Sequence, residues 1–330
     1  MSQPFGEIPD MARLLGDLLA QVPAGRVTTY GQLAEALGNR IAARWVGHFA
    51  MHHDHRAGCP CHRVVRAGGQ LGQYIAGGED AKARRLAEEG IEVDLGGVDL
   101  NRYGFDRFVG PRPLDELRRI QEELSAKVSL RPRRRIPNLI GGVDLAYPQP
   151  DRCSAAYALV EMETGKLVWW KTIHHPVAFP YITSYLTFRE LPALLALIEE
   201  VRIAGRLSEV LLVDGSGVLH PRHAGVATHL GVAASLPTIG VTKKLLCGQV
   251  DIRAMQAGES RPIVQEDQLA GVALRPTSGS QRPIFISPGH RVDVAYAEQV
   301  VRRVLTGRRL PEPLYWADRL SRHPAAATGP

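Results

Sequence analysis

The sequence predicts an α/β protein in two parts, a small and mainly helical module followed by a larger α/β domain built on a mixed sheet. Three observations carry this. A chain of 330 residues is long enough for two domains rather than one. The composition changes near residue 96, where Gly96-Gly97 closes a helix-rich stretch and Gly110, Pro111 and Pro113 follow as breakers. Beyond that point, helical spacing alternates with short apolar runs of strand length. The expected division is 1–96, a connecting segment 97–113, and 114–330.

In the first module, Met11 to Leu19 has amphipathic helical spacing. Thr29-Tyr30-Gly31-Gln32 reads as a capping box that opens a helix through Leu33 and Leu37, with Gly38 as its stop. A second helix is expected from Ile41 to about Met51. Two short helices joined by a glycine-containing turn match a helix-turn-helix, a pattern also common in proteins that never touch DNA.

A helical pattern begins at Leu114 and sets Leu117, Ile120, Leu124 and Val128 on one face. The run Arg131, Arg133, Arg134 and Arg135 reads as a solvated segment. Strands are expected at Leu139–Tyr147, Ser154–Met162 and Lys166–His174, the last two forming a hairpin that turns at Thr164-Gly165. A helix follows from about Thr187 to Arg202, then a buried strand from Glu209 to Val213 that ends at Asp214-Gly215. Further strand signals lie at Leu236–Val241, Gly271–Arg275 and Pro283–Ile286, and a final helix at about Val294–Leu305.

Apolar residues form 45% of the chain, so ordinary cores are possible and disorder by composition is excluded. No run approaches the ~18 uninterrupted apolar residues of a membrane span. The N-terminal stretch carries acids where a signal peptide carries lysine or arginine, so a soluble, cytoplasmic protein is expected, with a monomer as the default. The net charge of +6 suits a polyanionic partner without requiring one. Cys59, Cys61, Cys153 and Cys247 do not read as a disulfide framework.

The densest chemistry of the first module is Pro60-Cys61-His62-Arg63-Val64. A thiol attacks as its thiolate, so a nucleophilic cysteine needs a base or positive surroundings. His62 is the nearest candidate base, and Glu89 could orient it from across the fold. The segment resembles the active-site domain of the O6-alkylguanine-DNA alkyltransferases over roughly residues 4–93, through PCHRV, GRVTTYGQLA, AARWVG, GQYIAGG and the stretch from Lys82 to Gly90. The resemblance implies a helix-turn-helix in the minor groove and an irreversible transfer. Cys61 would be the acceptor, His62 the base and Glu89 its partner. Arg44 would replace the flipped guanine, Tyr30 would assist flipping and Tyr74 would line the pocket.

The sequence departs from that family in the loop HHDHRAGCP, one residue short, with Asp54 in place of asparagine and an unusual Cys59. It contains no counterpart of the further N-terminal domain of full-length members. The short form also resembles the alkyltransferase-like proteins, which bind alkylguanine without transfer and replace the cysteine. Recognition without transfer therefore stands beside transfer as an alternative. His52, His53, His55, Cys59, Cys61 and His62 invite a zinc reading. Cys-x-Cys with scattered histidines fits the usual regular spacing poorly, so a solvated histidine-rich loop is expected and zinc is the alternative.

Three acids mark the second module: Asp144 inside a strand, Glu190 near a helix start, and Asp214 at the end of a buried strand. A carboxylate in an apolar strand is costly unless paired or bound to a cation. The trio suggests a Mg²⁺ site for phosphodiester hydrolysis. Their order resembles the ribonuclease-H-like nucleases. The motifs GGVDLAY, PYITSYLTFRE, VDGSGVLHPRHAGVATHLG, PTIGVTKKLLCG, SPGHRV and LPEPLYWADRLSR resemble endonuclease V over about residues 114–323.

That resemblance implies cleavage of DNA at the second phosphodiester bond 3′ to deoxyinosine, with Mg²⁺ or Mn²⁺. Asp144 and Asp214 would hold the metal, with Glu190 at it or just behind its ligands. Tyr181 would be the wedge at the lesion, Lys243 would neutralise phosphate, and His290 would lie near the metal-bound water. His220 is a weaker candidate that would orient its loop. Thr183-Ser184 replaces the usual Pro-Gly after the wedge, and Lys244 replaces a common serine, so either lysine could take the phosphate. Implied partners are DNA containing deoxyinosine or O6-alkylguanine, with inosine-containing RNA as an alternative substrate.

Overall fold

The computed structural model describes residues 6–56, 58–131, 133–277, 279–323 and 328–329. The chain separates into two compact units. One comprises Ile8–Arg119 and Phe179–Tyr185; the other comprises Met1–Glu7, Ile120–Ala178 and Leu186–Pro330.

The first unit is mainly helical. Helix α1 (Met11–Leu19) is capped by the Asp10 side chain, which accepts from the Arg13 amide at 3.0 Å. Strand β1 (Thr28–Thr29) leads into α2 (Tyr30–Ala36) through the reciprocal capping box of Thr29 and Gln32. Gly38 follows at φ +108°, and a side chain there would also meet the Asp115 backbone nitrogen at 2.8 Å. A 3-10 turn (Arg40–Ala42) delivers the chain to α3 (Ala43–His52). A second 3-10 turn (Pro60–Arg63) carries Cys61 and runs into β2 (Val64–Val65), which pairs in parallel with β1. Helices α4 (Gly78–Glu88) and α5 (Leu100–Tyr103) complete the cover.

The core gathers Val27, Val65, Leu71, Leu86, Ile91, Val98 and Tyr103. The segment 97–113, read from the sequence as a connection, thus supplies core residues to this unit. Val27 is bonded to it from both sides, donating to Tyr103 O and accepting from Phe105 N. Helix α6 (Pro113–Ser125) contains the division between the units, at Arg119 and Ile120. It ends before Val128, which helical spacing had placed on its apolar face.

The second unit is built on β3 (Leu139–Gln149), β4 (Arg152–Glu161), β5 (Leu167–Pro176), β6 (Leu211–Asp214), β7 (Thr238–Thr242), β8 (Ser260–Gln265), β9 (Gln268–Leu274) and β10 (Ile284–His290). They form one eight-stranded sheet in the order β5-β4-β3-β6-β7-β10-β9-β8. The β3-β6 and β6-β7 pairs are parallel and the others antiparallel, so the sheet is mixed, as expected. Helices α7 (Leu186–Ile203), α8 (Val226–Ala234), α9 (Val294–Arg303) and α10 (Glu312–Arg322) pack on it. Ile140, Leu212, Ile239 and Ile286 of the sheet meet Val300 and Leu314 of the helices in a continuous core.

The helix at Val294 is not the final one. Pro311 and Pro313 punctuate the sequence as breakers, yet they stand at the N-cap and first turn of α10, where no backbone donor is missed. Gly142 is what admits α10. A Cβ at that position would meet the Pro313 carbonyl carbon at 2.5 Å. Among the described residues, no helix is long and apolar enough to cross a membrane.

Candidate functional site

Parallel pairing of β3 with β6 sets Val143 beside Val213. The next residues of the two strands, Asp144 and Asp214, therefore emerge at the same end of the sheet. Glu190 reaches the cluster from α7, where it accepts a hydrogen bond from the Tyr147 hydroxyl at 3.2 Å. Asp144 and Glu190 are buried, and the Asp144 Oδ1 accepts from the Leu145 amide at 2.7 Å.

These acids are held against their ordinary ionisation. Burial and the charge of Asp214 raise the Asp144 carboxyl well above the usual range, with Asp318 adding to the effect. Burial, then Asp214, pushes Glu190 up to about 8. Burial also raises Asp214, against the opposing pull of Lys243. Several carboxylates sharing a buried site with few cations is the donor chemistry that a hard divalent ion satisfies.

Lys243, at the end of β7, places Nζ 3.5 Å from Asp214 Oδ2 and 3.8 Å from Asp318 Oδ1. Lys244 is exposed, and its carbonyl accepts from the Thr242 hydroxyl. Of the two lysines, Lys243 is the one at the acids. Asp318 itself was not singled out from the sequence. It projects from α10, pairs with Arg322 at 3.0 Å, and acts electrostatically on both Asp144 and Asp214. Its signal lay in the motif LPEPLYWADRLSR, where it is the acid of a helix that the prolines disguise.

His290 is not brought to this cluster. It pairs with Thr238 at the start of β7, and Thr238 pairs with Leu211, whereas Asp214 pairs with Val241. Three residues of strand separate those levels, ~10 Å along the sheet. The His290 Nδ1 instead accepts from the Ser129 amide at 3.3 Å. His220 is buried in its loop, where its Nδ1 accepts from the Arg222 amide and its carbonyl from Gln265. Tyr181 is exposed and lies in the Phe179–Tyr185 segment that belongs to the first unit.

In the first unit, Cys61 and His62 are buried on their 3-10 turn. The His62 Nε2 is 2.8 Å from Glu89 Oε1, while its Nδ1 is buried without a hydrogen-bond partner among the described residues. Glu89 caps the C-terminus of α4 and also accepts from Arg63 Nη2 at 2.7 Å and from the Gly25 amide at 3.3 Å. Burial works against the Glu89 charge, but the bonds from Arg63, His62 and Gly25 outweigh it and bring its pKa below the usual value.

Burial first, then Cys59, pushes the Cys61 thiol up to about 12. Tyr74 is buried with its ring edge-on to His62, and Tyr30 lies close enough for Cys61 to affect its titration. Arg44 is exposed on α3. Lys82, unassigned from the sequence, is fully buried and donates to the carbonyls of Val64 and Leu71; burial pulls it down to about 8.

Residues 122–319 match the family model described as Endonuclease V. The chain belongs to the endonuclease V family. Residues 11–91 match a second model, the DNA-binding domain of 6-O-methylguanine DNA methyltransferase. The chain is thus a DNA-repair fusion of an alkyltransferase-type domain with an endonuclease V domain.

Both architectures occur among its relatives. The endonuclease V of Rippkaea orientalis is 37% identical over 215 residues, which span 65% of this chain and 92% of that protein. A bifunctional methyltransferase/endonuclease of Picrophilus torridus is 35% identical over 241 residues, 73% of this chain and 77% of its own length. Among solved structures, Ciona intestinalis endonuclease V in complex with a 24mer DNA containing an inosine followed by a ribo-adenosine aligns at a TM-score of 0.57. It is 26% identical, with 63% of this chain and 96% of that one covered. The endonuclease V family is metal-dependent.

Proposed function

We propose that the second unit nicks DNA at the second phosphodiester bond 3′ to deoxyinosine, and that Cys61 of the first unit accepts the alkyl group of O6-alkylguanine. The observation that carries the nuclease reading is the buried cluster of Asp144, Glu190 and Asp214, each raised in pKa by burial. The cluster suits Mg²⁺, with Mn²⁺ as a substitute, held by Asp144 and Asp214 with Glu190 beside them. Such an ion supplies positive charge to the scissile phosphate and lowers the pKa of the attacking water.

The chain's own groups do the rest. Lys243 offers an ammonium to a phosphate oxygen at the edge of the acids. Asp214 and Asp318 hold that ammonium between them by charge. Tyr181, exposed, is available as the wedge that fills the space of the lesion, and the inosine-containing DNA bound by the Ciona relative supports that substrate class.

At Cys61, Glu89 fixes the His62 ring and leaves Nδ1 as the free basic atom. That nitrogen accepts the thiol proton, directly or through a water. Sγ then bonds to the alkyl carbon, the bond from that carbon to O6 breaks, and the guanine keeps the electron pair and takes up a proton. Tyr30 and Tyr74, whose titration Cys61 affects, would line the pocket and assist flipping, and Arg44, exposed on α3, would fill the stack afterwards. The step consumes the cysteine, so it occurs once per chain.

A second reading has one observation in its favour. Burial raises the Cys61 thiol, which makes its deprotonation harder and is the feature consistent with recognition of alkylguanine without transfer. The protein acts in the cytoplasm as a monomer in either case, with the first unit carrying alkylguanine recognition and the second unit the nuclease.

The test uses the full chain on duplexes bearing one deoxyinosine or one O6-methylguanine, with an inosine RNA alongside, at fixed salt. Asp144→Asn is expected to abolish nicking and keep methyl transfer; Cys61→Ala does the reverse. No nicking by the wild-type chain in Mg²⁺ or Mn²⁺ overturns the nuclease reading. Intact-mass measurement reads transfer as one methyl group on Cys61; its absence with retained binding selects the second reading.

A further inference from the structure

The loop between α3 and the turn that carries Cys61 assembles four ligating side chains. His53, His55, Cys59 and Cys61 each offer one donor atom, and these atoms all lie within 4.8 Å of one another. The His53 Nε2 is 3.2 Å from Cys59 Sγ, and the Cys61 Sγ is 3.4 Å from His55 Nδ1. A tetrahedral zinc centre with ordinary zinc–sulfur and zinc–nitrogen bonds has ligand–ligand edges of ~3.3–3.8 Å. Two edges already have about that length, and the others exceed it by no more than ~1 Å.

We propose that His53, His55, Cys59 and Cys61 bind a zinc ion, with Cys61 as one of the two thiolate ligands. The irregular spacing His-x-His-x3-Cys-x-Cys hides the site in the sequence; the turn after α3 folds the residues onto one point.

The groups behind the ligands are those of a built site. The His53 Nδ1 is 3.0 Å from the Phe49 carbonyl, to which it can only donate, and this leaves the Nε2 lone pair directed at Cys59. A ligating histidine commonly donates its second nitrogen in this way, which fixes both tautomer and ring. The His53 ring also stacks on Phe49 at 5.1 Å. His55 is held edge-on between His53 and Tyr74, at 5.6 and 5.8 Å. Cys61 is buried and the other three are partly exposed, which gives an ion a path to the donors.

Two sulfurs and two imidazoles select zinc over the hard ions suited to Asp144 and Asp214, so the two centres differ in chemistry. Binding releases the two thiol protons and leaves both sulfurs as thiolates. The site does not depend on Cys61 being an alkyl acceptor. If it is one, alkylation turns that thiolate into a thioether, a far weaker ligand, and occupancy then reports whether the protein has been used.

The reduced full chain is titrated with Co²⁺ and back-titrated with Zn²⁺. Thiolate-to-cobalt charge transfer in the near ultraviolet is expected, together with the intense visible bands of tetrahedral cobalt, both displaced by one equivalent of zinc. Carboxylate-bound cobalt gives no such charge transfer, so the nuclease site does not interfere. Cys59→Ser should weaken the band about twofold, and His55→Ala should lower cobalt affinity at least ~10-fold. Both side chains are on a partly exposed loop, and circular dichroism checks that the fold is kept. Absence of charge transfer in the wild-type chain, or a spectrum unchanged by both substitutions, overturns the proposal. No DNA is present, so failure here is distinct from failure of alkyl transfer.

Discussion

The Lys243 ammonium lies 3.5 Å from the Asp214 carboxylate, at the mouth of a cluster in which Asp144 and Glu190 are buried. The lysine lowers the Asp214 pKa, so it shares that carboxylate with any divalent ion that binds there. Lys243→Met is therefore expected to split two properties. Divalent metal should bind as well or more tightly, because a competing cation is gone. Nicking should slow about 100-fold, because the charge offered to the phosphate is gone too. Single-turnover nicking across a Mg²⁺ titration reads both; an unchanged rate would make the lysine a bystander.

The raised pKa of Glu190, about 8, gives a pH dependence with a definite sign. Its ordinary value is 4.5, so across this window the unfolded chain binds fewer protons than the folded one. In EDTA, stability should fall as pH rises from about 4.5 to about 8. Divalent metal should blunt or reverse the trend by binding the ionised acids. At low Mg²⁺, nicking should climb with pH up to about 8. Melting temperatures with and without metal check the first part, and rates at constant ionic strength check the second. A flat stability profile in EDTA would contradict the burial argument.

Gly142 and α10 are mechanically linked. An alanine there puts Cβ against the Pro313 backbone, which cannot yield as a flexible side chain would. Gly142→Ala is expected to cost about 1–3 kcal/mol and to reduce nicking by displacing Asp318. Gly16→Ala is the contrast. It lies in α1 with nothing within 4 Å of its would-be Cβ, and should stabilise the chain by about 0.5–1 kcal/mol. Chemical denaturation of the two variants orders them; equal stability would show that α10 adapts freely.

Arg63 holds Glu89 through two nitrogens while also donating to the Val22 carbonyl at 2.6 Å. Arg63→Met should destabilise the first unit by about 3 kcal/mol, since it leaves a largely buried carboxylate with one partner fewer. Methyl transfer should slow roughly 10–100-fold through loss of His62 orientation. Glu89→Gln should slow transfer similarly with a smaller stability loss. Transfer unaffected by both changes would remove the histidine–glutamate pair from the mechanism.

What the sequence made legible was mostly local. The bounds of α1 follow from apolar spacing and the Asp10 cap, and α2 starts where its capping box says. Asp144 and Asp214 stood out because an acid in an apolar strand needs a reason. Asp318 did not, since its role depends on the close approach of α10 at Gly142, a tertiary event. His290 was placed wrongly because the β7–β10 register, which local patterning does not encode, sets it at the other end of the strand. The His53, His55, Cys59 and Cys61 group was discounted on spacing, and spacing is a poor guide when a turn rather than a helix gathers the ligands.

The hydrogen-bonded pairing of β3 with β6 lies in the interior of an eight-stranded sheet, flanked by β4 and β7. Backbone amides in such a place exchange with solvent deuterium only when the whole domain opens. Asp144 and Asp214 are rooted in that slowest-opening layer, whereas Cys61 sits on a short turn beside a two-stranded ladder. On heating, the strand-anchored acids should stay in register until the domain's global transition, while the thiol site is free to lose its shape in a separate, smaller event.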